Sequence, residues 1–212
     1  MIKALILDLD GVICDTAHFH FNAWKRLAAE YGFELTEAHN ESLKGVSRQD
    51  SLRKILEWAQ TEIEPTQFDR DLSRKNEWYL EMVAEMSVND RLPGTSHFIE
   101  QAQAKGIPLA LGSASKNART VLDKIALSEA FGAIVDASQI SRGKPDPETF
   151  VTAAQLLGVK PNECIVFEDS AAGIQAALKG GMRAIGIGQP QDLPGAELYL
   201  NNLGEYNFAD FQ

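Results

Sequence analysis

Leu5-Ile6-Leu7-Asp8-Leu9-Asp10-Gly11-Val12 is the stretch on which the reading of this chain turns. The apolar run from Ile2 to Leu7 reads as a buried strand. Continuous apolar strands of this length belong to parallel sheets covered on both faces. The run ends in two aspartates two positions apart, followed at once by glycine. Residues i and i+2 point the same way along an extended chain, so Asp8 and Asp10 emerge together where the strand stops. Charged side chains are almost never fully buried without a partner. Two acids at the mouth of a core strand are therefore either solvated turn residues or a site.

Working outward, the pattern after Thr16, read as a helix N-cap, becomes helical. Phe19, Ala23 and Leu27 share a stripe, and Gly32 can end the helix. Ser47 with Asp50 resembles a capping box with Asp in place of Glu or Gln. It opens a helix carrying Leu52, Ile55, Leu56 and Ala59, and another begins at Thr66. No strand is expected between Thr16 and Met86. Past Pro93-Gly94 the grammar alternates. Helices are expected over 95–105, 115–125, 147–157 and 170–179, and strands over 107–111, 133–136, 164–167 and 183–187. Repeated βα units imply a parallel sheet with helices on both faces. The expected architecture is an α/β Rossmann-like core, residues 1–15 and 90–212, with an inserted helical domain over 16–89.

The whole chain limits the function classes. A net charge of −10 over 212 residues argues against nucleic acid and anionic membrane as partners, though not against an anionic ligand in a locally basic cleft. No apolar run approaches membrane-spanning length, and Asp8 and Asp10 interrupt the N-terminal run where a signal peptide would continue. A cytoplasmic protein is expected. Cys14 and Cys164 have no metal or redox spacing and should pack as small apolar residues.

In open α/β sheets ligands bind beyond the carboxyl ends of the strands. Three of those ends carry chemistry here. The first bears Asp8 and Asp10. The strand over 107–111 runs into Gly112-Ser113-Ala114-Ser115-Lys116-Asn117, whose hydroxyls and N–H groups suit a phosphate, although Ser115 also suits a plain N-cap. The strand over 164–167 ends in Glu168-Asp169-Ser170. Lys144 lies in a loop before a helix, where a lysine is ordinarily just solvated. Together, Asp8, Asp10, Glu168 and Asp169 put four formal negative charges in one crevice. Each close pair repels by roughly 4 kcal/mol at an effective dielectric near 20. Mg²⁺, which takes hard oxygen ligands and keeps positions open for phosphate, together with Lys144 would offset all but one of these charges. The set suggests phosphoryl transfer to an aspartate. Asp8, nearer the strand, is assigned as nucleophile and Asp10 as general acid and base. An unperturbed Asp is only about 0.1% protonated at pH 7, so the acid needs a raised pKa or a closed, dry site.

Asp8-Leu9-Asp10-Gly11-Val12, then Ser113, Lys144-Pro145 and Glu168-Asp169, in that order, resemble the motifs of the haloacid dehalogenase superfamily of aspartate-nucleophile phosphotransferases. The helical insertion resembles the cap of its mutase and phosphatase branch. Within the superfamily the likeness is greatest to the β-phosphoglucomutase family. It is carried by Asp15-Thr16, His20, Trp24, Leu43-Lys44-Gly45-Val46-Ser47-Arg48, Ser51, Arg74-Lys75-Asn76, the 113–117 loop and the segment from Glu168 to Ile174. Cys14 departs from the pattern, which there has a small hydroxyl or apolar residue.

The resemblance implies a metal set of Asp8, Glu168, Asp169 and the backbone carbonyl of Asp10. It implies that Arg48 holds a distal phosphate, that Lys75 and Asn76 help bind substrate, and that His20 couples substrate binding to placement of the general acid. Thr16, Trp24, Lys44, Gly45, Val46, Ser51, Ser113, Ala114, Ser115, Asn117 and Lys144 complete the implied substrate and phosphate site. The implied reaction interconverts β-D-glucose 1-phosphate and glucose 6-phosphate through an aspartyl phosphate, with β-glucose 1,6-bisphosphate as intermediate and activator. A small phosphosugar is the expected partner, and a monomer the expected state. A sugar-phosphate phosphatase on the same scaffold is the alternative. A phospho-receiver module, the reading from another class, fits poorly: receivers are about 120 residues long and phosphorylate an aspartate in mid-domain.

Overall fold

The computed structural model describes residues 1–210. Strand β1 (Ala4–Leu7) leads into a helical segment of α1 (Ala17–Glu30), α2 (Glu37–Glu41), α3 (Arg48–Trp58) and α4 (Pro65–Ala84). The chain then alternates through α5 (Thr95–Ala104), β2 (Leu109–Gly112), α6 (Ala118–Lys124), β3 (Ala133–Val135), α7 (Glu148–Leu156), β4 (Cys164–Glu168), α8 (Ala171–Lys179) and β5 (Arg183–Ile187), and ends on β6 (Leu198–Leu200). All six strands are parallel, in the order β3-β2-β1-β4-β5-β6. The strand bearing Asp8 is thus central: Leu5 registers with Leu109 on one side and Ile165 on the other.

Side chains alternate across this sheet. Leu5, Leu7, Leu111, Ile165 and Phe167 face one layer with Phe98, Val121 and Leu122. Ala4, Ile6, Ala110 and Val166 face the other, with Phe150, Ala153 and Ile174. Both faces are covered, which explains why β1 reads as an unbroken apolar run. The helical segment has a core of its own, formed by Trp24, Leu27, Leu35, Leu43, Leu52, Ile55 and Leu56. Cys14 and Cys164 are buried free thiols within the sheet layers, as the sequence suggested.

Four details differ from the sequence reading. Thr16 occupies the N-cap of α1 but does not cap it, because its hydroxyl donates to Asp10 Oδ1. Helix α6 begins at Ala118, not Ser115, because residues 113–117 form hydroxyl-bonded turns. Helix α4 begins at Pro65, one residue before the expected Thr66; proline suits a first helical turn, whose N–H has no helical acceptor. Asp50 accepts from the Ser47 hydroxyl, while Ser47 Oγ accepts from the Asp50 N–H, so only half of the capping box forms.

Candidate active site

Asp8 continues β1, its N–H donating to Phe167 O at 3.0 Å. Glu168 ends the neighbouring strand β4, and Asp169 follows it. Pairing β1 with β4 therefore brings the three carboxylates together, with one oxygen of each within 4.8 Å of the others. Gly11 shapes the floor. Its φ of +82° is left-handed, and a Cβ there would strike the Asp169 carboxylate. Gly173, in the first turn of α8, lies equally close to Glu168. Gly173→Ala is expected to lower stability by about 1–3 kcal/mol through overpacking, and to weaken divalent cation binding by displacing Glu168. Urea unfolding and metal titration check this.

Lys144 is not solvated. Its side chain is fully buried, with Nζ bonded to Asp8 Oδ1 and, at 2.8 Å, to Glu168 Oε2. The other Glu168 oxygen accepts from the Ser170 N–H at 3.1 Å and the Ser170 hydroxyl at 2.7 Å. Burial pushes the Asp8 carboxyl up to about 8; Lys144 opposes the rise, and Glu168 and Asp10 add to it. Burial, followed by the charges of Glu168 and Asp8, lifts Asp169 well above the usual carboxylate range. Lys144, with Lys44 3.9 Å from Asp169 Oδ2, still leaves the carboxylates of Asp8, Asp10, Glu168 and Asp169 short of positive charge. Three converging hard oxygen donors on a strand-end crevice fit Mg²⁺, which would offset the remaining charge.

Asp10 turns away from that cluster. Its Oδ1 accepts from the Thr16 hydroxyl and lies 3.9 Å from His20 Nε2. Burial raises its pKa, as a general acid requires. His20 Nδ1 is 2.7 Å from Lys75 Nζ, and its ring stacks on Tyr79 at a centroid distance of 4.1 Å. Burial, then the charges of Lys75 and Arg48, hold His20 well below its ordinary pKa. A neutral imidazole accepting from Lys75 at Nδ1 carries its proton on Nε2, the atom facing Asp10. Lys75 is itself buried, with Trp24 4.6 Å from its ammonium, and its pKa is lowered well by burial and Arg48.

Beyond Asp8 and Asp10 opens a cavity of about 620 Å³ between the helical segment and the sheet. Its wall includes His20, Trp24, Lys44, Gly45, Val46, Arg48, Ser51 and Lys75 from the helical side, and Ala114, Ser115 and Asp169 from the core. The other expected residues do not line it. Thr16, Lys144 and Glu168 sit behind it, holding Asp10 and Asp8. Ser113 Oγ accepts from the Ser115 N–H at 3.1 Å. Asn76 and Asn117 bond each other at 2.7 Å. Residues not singled out from the sequence also line it, among them Asn40, Arg53, Lys116, Ser141 and Arg142. Only Lys116, inside the hydroxyl-rich loop, carried a sequence signal.

This cavity joins an acidic, metal-competent end, where Lys44 lies 3.9 Å from Asp169 Oδ2, to Arg48, Lys75 and Lys116 farther along its wall. The model for the haloacid dehalogenase-like hydrolases matches residues 2–181. The chain belongs to the haloacid dehalogenase-like family. The crystal structure of a β-phosphoglucomutase from Clostridium difficile superposes with a TM-score of 0.95 at 38% identity, covering 99% of this chain and 95% of that one. A β-phosphoglucomutase from Bacillus subtilis is 40% identical over 96% of this chain and 91% of its own length. A phosphorylated carbohydrates phosphatase from Thermotoga maritima is 30% identical over 87% of this chain and 84% of its own. The parallel sheet and the membership read from the sequence are both borne out. Among the described residues no helix is long and apolar enough to cross a membrane.

Proposed function

We propose that this haloacid dehalogenase-like protein is a β-phosphoglucomutase with Asp8 as nucleophile, Asp10 as general acid and base, and residues 16–89 as a cap domain. The observation that carries the proposal is the set of cations lining the cavity away from the carboxylates, Arg48 and Lys75 from the helical segment and Lys116 from the core. A substrate with one phosphate at the nucleophile needs no such set; a bisphosphate does. The near-full-length likeness to β-phosphoglucomutases supports the same reading.

Phosphorylated Asp8 gives its phosphoryl group to the free hydroxyl of a β-glucose monophosphate. The acceptor oxygen forms a bond to phosphorus as the Asp8–phosphorus bond breaks, and Asp10 takes the hydroxyl proton. The β-glucose 1,6-bisphosphate turns over in the cavity. Asp8 then attacks its other phosphate, and Asp10 returns the proton to the departing oxygen. Lys144 holds the nucleophile in place, and Thr16 and His20 hold Asp10. Arg48, Ser115 and Lys116 grip the phosphate that is not reacting. Asp8, Asp169, Glu168 and the Asp10 carbonyl would hold Mg²⁺, which when bound would supply charge stabilisation at the transferring phosphoryl group. The cavity is complete within one chain, which supports a monomer; light scattering checks that.

The phosphatase reading keeps the support of phosphatase relatives, among them the Thermotoga enzyme at 30% identity. An assay with β-glucose 1-phosphate, Mg²⁺ and a trace of glucose 1,6-bisphosphate separates the two. Glucose 6-phosphate should far exceed free phosphate. Phosphate alone would overturn the mutase. Repeated turnover of a small phosphosugar would also exclude a receiver.

Two variants test the assignments. Asp10→Asn should slow turnover by about 10²–10⁴-fold, the usual worth of a general acid and base, while Mg²⁺ affinity stays close to wild type. Normal turnover in it would remove Asp10 from that role. Arg48→Ala should weaken bisphosphate binding by tenfold or more, since a charge-assisted bond is worth about 1.5–3 kcal/mol. Unchanged kinetics would take Arg48 out of the site.

A further inference from the structure

Asn76 and Asn117 both lie off the cavity wall, and each is joined to the other across the boundary between helical segment and core. Asn117 stands at the end of the 113–117 loop. That loop is a ladder of short turns: Ser113 Oγ accepts from the Ser115 N–H, and Ser115 Oγ accepts from the Asn117 N–H at 3.1 Å. The Asn117 side chain then leaves the ladder, and its Nδ2 donates to Asn76 Oδ1. Asn76 is the next residue after Lys75 on α4, and Lys75 holds His20 beside Asp10. The core loop facing the ligand phosphate and the side chains supporting Asp10 are therefore one hydrogen bond apart. Farther down α4 a second tie to α6, from Lys124 Nζ to Ala84 O at 2.8 Å, lies close to the crossing back into the core. Rotation of the helical segment about that crossing moves Asn76 more than Ala84, so the Asn76–Asn117 bond is the one that registers the position of α4.

We infer that Asn76 and Asn117 are a positioning pair that seats α4, and with it Lys75 and His20, against the phosphate loop. With the bond made, Asp10 is supported while the loop is in register beside the cavity. With it lost, α4 can drift, Asp10 keeps its bond from Thr16 but loses the support that reaches it through Lys75 and His20, and water reaches the phosphorylated Asp8. The part of this that concerns water rests on the mutase reading; the part that concerns Asp10 does not.

The test is a double-mutant cycle with Asn76→Leu and Asn117→Leu, near-isosteric changes that remove the bond. Total turnover (glucose 6-phosphate plus phosphate) and the ratio of the two products are measured together, with the melting temperature of each variant. Each single variant should lose about tenfold in total turnover and shift the product ratio towards phosphate. The double variant should be no worse than either single, because the two side chains act through one bond. Asn76→Asp, which keeps the acceptor for Asn117 Nδ2, should recover most of what Asn76→Leu loses; a purely steric role would not respond to it. Wild-type turnover and product ratio in either single variant would overturn the inference. So would losses that multiply in the double variant, or no recovery in Asn76→Asp. If a leucine variant fails to fold, the alanine variant at the same position takes its place in the cycle and is judged by the same outcomes. A wild-type enzyme releasing phosphate alone would overturn the mutase reading, and the cycle on total turnover would still decide the pair.

Discussion

Asp8→Asn should abolish turnover, by about 10⁴-fold or more, because the covalent step has no other nucleophile to fall back on. The same variant should fold at least as well as wild type without metal. Burial raises the Asp8 pKa to about 8, above its ordinary 3.8. A carboxyl raised in this way favours the folded state only while protonated. Its contribution is present at low pH and is lost as pH rises from about 4 towards 8. Asparagine has no charge to bury, so that loss disappears. Urea unfolding in chelator at pH 7 should give a stability equal to or above wild type, and Lys144 keeps its bond to Glu168. Residual turnover well above background would end the nucleophile assignment. A large destabilisation would mean that Asp8 is chiefly structural.

Lys144→Met should give the largest loss of stability. Its side chain is fully buried, with the ammonium enclosed between Asp8 and Glu168. Removing one member of a buried charged set typically costs about 3–5 kcal/mol, because the partners are left uncompensated. Turnover should fall by about 10²–10³-fold as the nucleophile loses its orientation and its preorganised charge. Mg²⁺ binds only the folded site, so it should raise the melting temperature of the variant and return part of the lost stability. Thermal unfolding with chelator and with excess Mg²⁺ measures both. A variant as stable as wild type in chelator would show that the acids hold each other through shared protons rather than through the lysine.

The catalytic end of the site was legible because it follows from strand ends. Asp8, Glu168 and Asp169 stand where apolar runs stop, and a parallel sheet brings such ends together whatever the intervening sequence. The residues that depend on how two bodies meet were harder to read. Arg142 and Ser141 reach the cavity from a loop with no regular pattern, and Asn40 from within a five-residue helix with no buried side chain, which leaves no periodicity to detect. Helix α2 and strand β6 escaped for the same reason: both are short, and β6 is a three-residue edge strand with an exposed Leu198. Thr16 and Ser115 look like caps from sequence, since a hydroxyl before a helical pattern ordinarily is one. Only the three-dimensional neighbourhood shows Thr16 holding Asp10 and Ser115 bonded inside a loop. Lys144 shows the same limit in reverse, since a loop lysine is usually solvated and its two buried partners lie far from it in sequence.

The central place of β1 has a consequence for biosynthesis. Its register partners are Leu109 to Leu111 on one side and Cys164 to Phe167 on the other. The strand carrying Asp8 leaves the ribosome some 160 residues before its β4 neighbour, roughly ten to thirty seconds at ordinary elongation rates. Until β2 follows, roughly 105 residues after it, Ala4–Leu7 is an unpaired, wholly apolar segment on the nascent chain, while the helical segment between can already gather its own core. The carboxylates cannot meet until the last third of the chain is out. Until then the nascent chain carries a helical segment with no completed carboxylate cluster beside it, and chaperones that shield apolar stretches have their longest task at Ala4–Leu7.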